Sequence, residues 1–136
     1  MSEFRTVTDN FAVSPQIAVE DVARAKSLGF SLIINNRPDG EAADQPPSEA
    51  MAAAARASGV EYVHIPVTGR PTEDQARAVL RASAGATGPT LAFCKSGTRS
   101  IIAWALGELA AGTLSRGEIL SRAAAAGYDL SAVLPV

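Results

Sequence analysis

Thr90-Leu91-Ala92-Phe93-Cys94-Lys95-Ser96-Gly97-Thr98-Arg99-Ser100 is the stretch whose reading decides the fold. Its first four residues are a short run closed off upstream by Gly88-Pro89, which suits a buried strand. Beyond it, Ile101-Ile102-Ala103-Trp104-Ala105-Leu106 repeats apolar residues at helical spacing. The single cysteine of the 136 residues therefore falls on a strand-to-helix turn. At the start of a helix the unpaired N–H groups and the helix dipole both favour negative charge. A thiolate is one such anion and a phosphate is another.

The residues of the turn suit that role. A free thiol has a pKa of about 8.5, and a helix start with a nearby guanidinium raises its thiolate fraction at neutral pH. Gly97 lets the backbone curl and approach a ligand without a side chain in the way. Arg99 can give an oxyanion two parallel hydrogen bonds, a geometry lysine cannot match. Ser100 is placed to donate to the sulfur and ease its departure from a covalent intermediate. Cys94 is thus read as a nucleophile with an anion cradle attached, its amides drawn from Lys95, Ser96, Gly97 and Thr98.

Working outward, strands alternate with helices. Residues 1–10 read as a polar lead-in and Phe11-Ala12-Val13 as a short strand. A helix is predicted over 19–28, ending at Gly29, and Ser31-Leu32-Ile33-Ile34-Asn35 is a buried strand. Ser48 is expected to cap a helix over 49–58 that stops at Gly59. A strand over 60–65 ends at Pro66, and Thr72 is expected to cap a helix over 73–84. After the cysteine turn a helix runs over 99–110. Ser115 caps a last one to residue 126, and the tail over 128–136 packs back. This alternation predicts a single α/β domain over 1–136, with a mostly parallel central sheet flanked by helices. The segment over 113–136 supplies its C-terminal helix and tail. Ligands of such sheets lie beyond the carboxyl ends of the strands. The breaker-rich segment over 36–47 and the loop Val67-Thr68-Gly69-Arg70-Pro71 both follow strands, so both reach that edge beside Cys94.

Composition narrows the classes. A formal net charge of −2 shows no nucleic-acid footprint. No apolar run approaches the ~20 residues of a membrane span, and the first residues lack a signal-peptide pattern. One cysteine cannot form an internal disulfide, which fits a cytoplasmic protein. No set of side chains has metal-ligand spacing, so no metal or cofactor is expected. His64 reads as a structural histidine and Trp104 as core. Oligomeric state is not assigned.

The sequence Cys94-Lys95-Ser96-Gly97-Thr98-Arg99-Ser100 resembles the active-site loop of cysteine-dependent phosphatases. In that pattern five residues separate the cysteine from an arginine that precedes a serine or threonine. Here only four intervene, a length also found in rhodanese-type sulfurtransferases, whose cysteine carries a persulfide. Three further stretches are Phe11-Ala12-Val13-Ser14-Pro15-Gln16, Ile34-Asn35-Asn36-Arg37-Pro38-Asp39-Gly40-Glu41 and Tyr62-Val63-His64-Ile65-Pro66-Val67. In order and spacing they resemble the bacterial phosphatase-like domain found fused in beta-lactamase-hydrolase-like proteins, over roughly residues 3–112.

The resemblance implies a dual-specificity or tyrosine-phosphatase-like fold acting on a phosphorylated small molecule or protein. It makes Cys94 the nucleophile and Arg99 the phosphate binder; Lys95, Ser96, Gly97, Thr98, Ser100 and Arg37 are taken as substrate-binding residues. Two departures stand out. Phe93 occupies the position where tyrosine phosphatases carry a histidine, and residues 67–71 lack the usual aspartate general acid. Asp39 is taken as the proton donor, with Glu41, Glu73 and Asp74 as alternatives. A sulfurtransferase using a Cys94 persulfide and a non-catalytic anion-binding module remain the competing readings.

Overall fold

The computed structural model describes residues 3–135, and the strand at its centre is the one that carries the cysteine turn. Five four-residue strands form one sheet: β1 (Arg5–Thr8), β2 (Phe11–Ser14), β3 (Leu32–Asn35), β4 (Glu61–His64) and β5 (Thr90–Phe93). They are ordered β1-β2-β5-β3-β4. β1 pairs antiparallel with β2, and the other three pairings are parallel. Between and after the strands lie α1 (Glu20–Ser27), α2 (Ser48–Ser58), α3 (Glu73–Ala84), α4 (Thr98–Ala111) and α5 (Arg116–Ala125).

Strand alternation divides the core in two. Ala12, Ile33, Leu91 and Phe93 point to the side covered by α1 and α2, where they meet Val22, Ala25, Met51 and Ala55. Phe11, Val13, Ile34 and Ala92 point to the other side, toward α3, α4 and α5. β5 lies between neighbours on both edges and is buried on both faces, as its continuous apolar run requires. The helix that follows it is buried along most of its length, and Trp104 stacks on Phe11 with ring centroids 6.2 Å apart. Gly107 lets α4 close on α3: a Cβ there would sit 2.9 Å from the Ala76 carbonyl oxygen.

Local signals account for the helix ends. Thr72 and Gln75 form a capping box at the start of α3, and Ser115 and Glu118 form another at α5. Two expectations are corrected. Arg5–Thr8 is an edge strand rather than a loose lead-in, because Val7 enters the core while its polar neighbours face out; Met1 and Ser2 lie outside the described residues. Ser48 is the first helical residue of α2 rather than its side-chain cap, and the Asp39 Oδ1 accepts the Ser48 N–H from nine residues upstream, 2.8 Å away. The tail does pack back through Leu130 and Leu134, with Val136 outside the described residues. No described helix is long and apolar enough to cross a membrane.

Candidate active site

Register brings the loops together. In the parallel part of the sheet, Ser14 lies opposite Phe93, Phe93 opposite Asn35, and Asn35 opposite His64. Four strands thus end level, and the residues just beyond them form one rim. Backbone hydrogen bonds continue the ladders past the last paired residues. Gln16 N–H donates to Lys95 O at 3.2 Å, Asn36 N–H to Phe93 O at 2.8 Å, and Val67 N–H to Asn36 O at 2.9 Å. The cysteine turn lies at the centre of this rim, where an open α/β sheet binds its ligands.

Within the turn Cys94 is fully buried, and the Gly97 N–H points at its sulfur from 3.1 Å. Gly97 has φ +91° and leads directly into α4, a conformation that other residues resist. Ser100 does not reach the sulfur as expected. Its one hydroxyl proton goes to Asn36 Oδ1 at 2.8 Å, while the Asn36 amide donates to the Ile65 carbonyl. Asn36 therefore staples three loops, and Ser100 is part of that staple.

Arg99 leaves the rim side of α4 and meets Glu41. Its Nη1 and Nη2 donate to the two oxygens of that carboxylate at 2.8 and 2.9 Å, and Nη1 also donates to the Val67 carbonyl at 2.8 Å. A guanidinium has five N–H groups. Beyond those three bonds lie the Nε–H and the second Nη2–H, side by side, and the guanidinium also hydrogen-bonds the Cys94 side chain. The hydrogen bond to Glu41 is the main reason that Arg99 is held above its ordinary pKa, with the charge of Cys94 adding to it.

Glu41 also accepts from Arg37 Nε at 2.9 Å, and Arg37 Nη1 donates to Gln16 Oε1 at 3.1 Å. Held chiefly by Arg99 and further by Arg37, the Glu41 carboxyl is lowered to a pKa of about 2. It is ionised at neutral pH and is a clamp for two arginines, not a store of protons. The Arg37 backbone is fixed in turn by His64 Nε2, 2.8 Å from its carbonyl oxygen, and by Asn35, whose Oδ1 accepts its N–H.

The rim thus gathers Cys94, Gly97, Arg99, Ser100 and Arg37. Lys95, Ser96 and Thr98 face solvent, with the Ser96 and Thr98 hydroxyls bonded to each other. Asp39 bonds to neither Cys94 nor Arg99 among the described residues; what it touches is the start of α2. Glu73 and Asp74 both pair with Arg77 on α3. Two contributors escape a reading of the sequence. Gln16 bonds the turn and Arg37 together, and Tyr128, from the far end of the chain, donates its hydroxyl to Ser96 O at 2.9 Å. Gln16 adjoins a strand end that the level rim makes informative, whereas no spacing links Tyr128 to the turn. No cluster of three or more His, Cys, Asp or Glu among the described residues is placed to hold a metal.

Residues 3–111 match the family model described as "Beta-lactamase hydrolase-like protein, phosphatase-like domain". A beta-lactamase hydrolase-like protein of Xylella fastidiosa is 38% identical over 125 residues, which are 91% of this chain and 29% of that relative. One from Agrobacterium fabrum is 37% identical over 127 residues, 93% of this chain and 30% of the relative. The chain therefore spans less than a third of the length of these relatives. Among solved structures, a candidate phosphatase of Neisseria meningitidis superposes with a TM-score of 0.82 at 31% identity, covering 93% of this chain and 90% of that one. P. aeruginosa TpbA in complex with phosphotyrosine superposes at 0.68 with 17% identity, covering 93% and 75%. That last likeness is one of fold.

Proposed function

The chain belongs to the family of the beta-lactamase hydrolase-like protein phosphatase-like domain, and from that premise we propose that it is a cysteine-dependent hydrolase of phosphate monoesters. One observation carries the reading. The buried Cys94 sulfur accepts the Gly97 N–H at the start of α4, and Arg99, fixed by Glu41 and Val67, brings its guanidinium to the same side chain.

In the proposed reaction the Cys94 thiolate attacks phosphorus, a P–S bond forms, and the ester P–O bond breaks with its electron pair leaving on oxygen. Arg99 takes two of the three non-bridging oxygens, and the amides of residues 95–99 take the third. Water then attacks the phosphocysteine, which releases inorganic phosphate and restores the thiolate. Arg37, locked to Glu41 and Gln16, contributes positive charge at the mouth. The leaving oxygen still needs a proton. Glu41 is ionised, and Glu73 and Asp74 are tied to Arg77. Asp39, with Oδ2 unengaged among the described bonds, is the donor that this reading assigns.

The test is turnover of an aryl phosphate by the purified chain, with trapping of a phosphorylated Cys94. Cys94→Ser is expected to abolish both, and turnover that survives the substitution overturns the mechanism. Thiocyanate formed from thiosulfate and cyanide, with a persulfide on Cys94 and no phosphate release, would assign the site to sulfur transfer instead.

A further inference from the structure

Tyr128 belongs to the segment past residue 111, beyond the reach of the family model, yet its side chain ends at the cysteine turn. The helix stop aims it there. α5 closes with Gly127 at φ +97°; Gly127 N–H donates to Ala124 O at 2.9 Å and Tyr128 N–H to Ala123 O at 2.9 Å. This pair of bonds is the Schellman motif, which fixes the chain direction immediately after a helix. The Arg5 guanidinium lies 5.3 Å from the centroid of the Tyr128 ring and steadies its outer side.

What Tyr128 touches matters more than that it packs. Its hydroxyl donates to Ser96 O, and the peptide that carries this carbonyl carries the Gly97 N–H as well. In a trans peptide the two groups point in opposite directions. With the carbonyl held outward, the N–H is turned inward, to 3.1 Å from Cys94 Sγ. Without that bond the peptide is freer to turn, because Gly97 accepts backbone angles of either sign. We infer that Tyr128 is a positioning residue: it locks the Ser96–Gly97 peptide in the orientation that presents an N–H to the sulfur and to an anion above it. Burial raises the Tyr128 phenol above its ordinary pKa, so the group stays a hydrogen-bond donor at neutral pH. The space beside Gly97 is matched to the same contact, since a Cβ there would run into the Tyr128 hydroxyl.

This inference takes Cys94 as the working group from the function proposed above, and its test does not depend on turnover. Cys94 is the only cysteine, so the ultraviolet absorbance of its thiolate, followed against pH with a Cys94→Ser blank, titrates this one group. Tyr128→Phe keeps the ring and removes the hydroxyl. Loss of one hydrogen bond's net worth is expected to raise the titration midpoint by ~0.4–1.1 pH units, a ~2- to 12-fold loss of thiolate below the midpoint.

Gly97→Ala leaves Tyr128 in the chain but pushes its hydroxyl away, and should move the midpoint in the same direction. In the double variant the two shifts should add to less than their sum, because both act on one peptide. An unchanged midpoint in a folded Tyr128→Phe overturns the inference, as does a shift in Gly97→Ala that adds fully to the effect of Tyr128→Phe. If the wild-type chain hydrolyses no phosphate ester and the midpoint still shifts as expected, the positioning role stands and the hydrolase reading falls.

Discussion

Glu41→Gln isolates the electrostatics of the rim with little change in shape. The carboxylate accepts three bonds: Oε1 takes Arg37 Nε and Arg99 Nη2, and Oε2 takes Arg99 Nη1. A glutamine oriented with its carbonyl in the Oε1 position keeps two of them as weaker, uncharged bonds. Its amide nitrogen then faces Arg99 Nη1, donor against donor. A hydrogen bond to a charged group is worth roughly 1.5–3 kcal/mol. With the Glu41 side chain 30% exposed, screening moves the expected loss toward the lower bound, about 1.5 kcal/mol.

Arg99 keeps its bond to the Val67 carbonyl, so it loosens without leaving. We expect kcat/KM on an aryl phosphate to fall about tenfold, the equivalent of about 1.4 kcal/mol, with phosphate binding weakened in step. A second readout follows from the carboxyl itself. Its folded pKa of about 2 lies below the ordinary 4.5. Its stabilisation is therefore complete above pH 4.5 and is lost as the pH falls toward 2. Urea unfolding across that window should show a steeper acid decline in the wild type than in Glu41→Gln. A variant that binds inorganic phosphate more tightly and hydrolyses faster would refute the reasoning. Glu41 would then compete with substrate for Arg99 rather than hold it.

Three further outcomes can be set against measurement. Gly107→Ala should cost about 1 kcal/mol in chemical denaturation: overpacking against Ala76 and Leu80 outweighs the gain in helix propensity. Esters with good leaving groups should be strongly preferred, and Asp39→Asn should slow alkyl phosphates by ~10²-fold or more while sparing aryl phosphates. Equal effects on the two classes would remove Asp39 as the proton donor and leave it the role of holding the start of α2.

The elements that the sequence disclosed were those with a local cause. The breakers around residues 90–93, the Thr72 and Ser115 caps and the glycine after α2 each act within a few residues, and each stands where it was read. Arg5–Thr8 was hidden because an edge strand needs only one buried residue, Val7, and so shows little hydrophobic pattern. Cys94 and Arg99 were legible as neighbours on one turn. The Glu41 clamp was not, because it spans 58 residues and depends on the register of two strands. Glu41 could be weighed as an acid from its type, but its role as a base-like partner for two arginines is a property of place. Ser100 was misdirected for a similar reason: the sequence showed the sulfur nearby but not Asn36, which takes its proton.

The level ending of the four parallel strands makes assembly of the protein and assembly of its site a single event. A strand advances about 3.3 Å per residue, more than the length of any hydrogen bond across the rim. A slip of one residue in β2, β3 or β4 would carry Gln16, Arg37 or Val67 out of reach of its partner and would also exchange the side chains that strand gives to the two halves of the core. An error large enough to spoil the site is thus large enough to misfit the packing on both sides of the sheet. Mispaired molecules would then be removed as folding failures before they could persist as inactive copies.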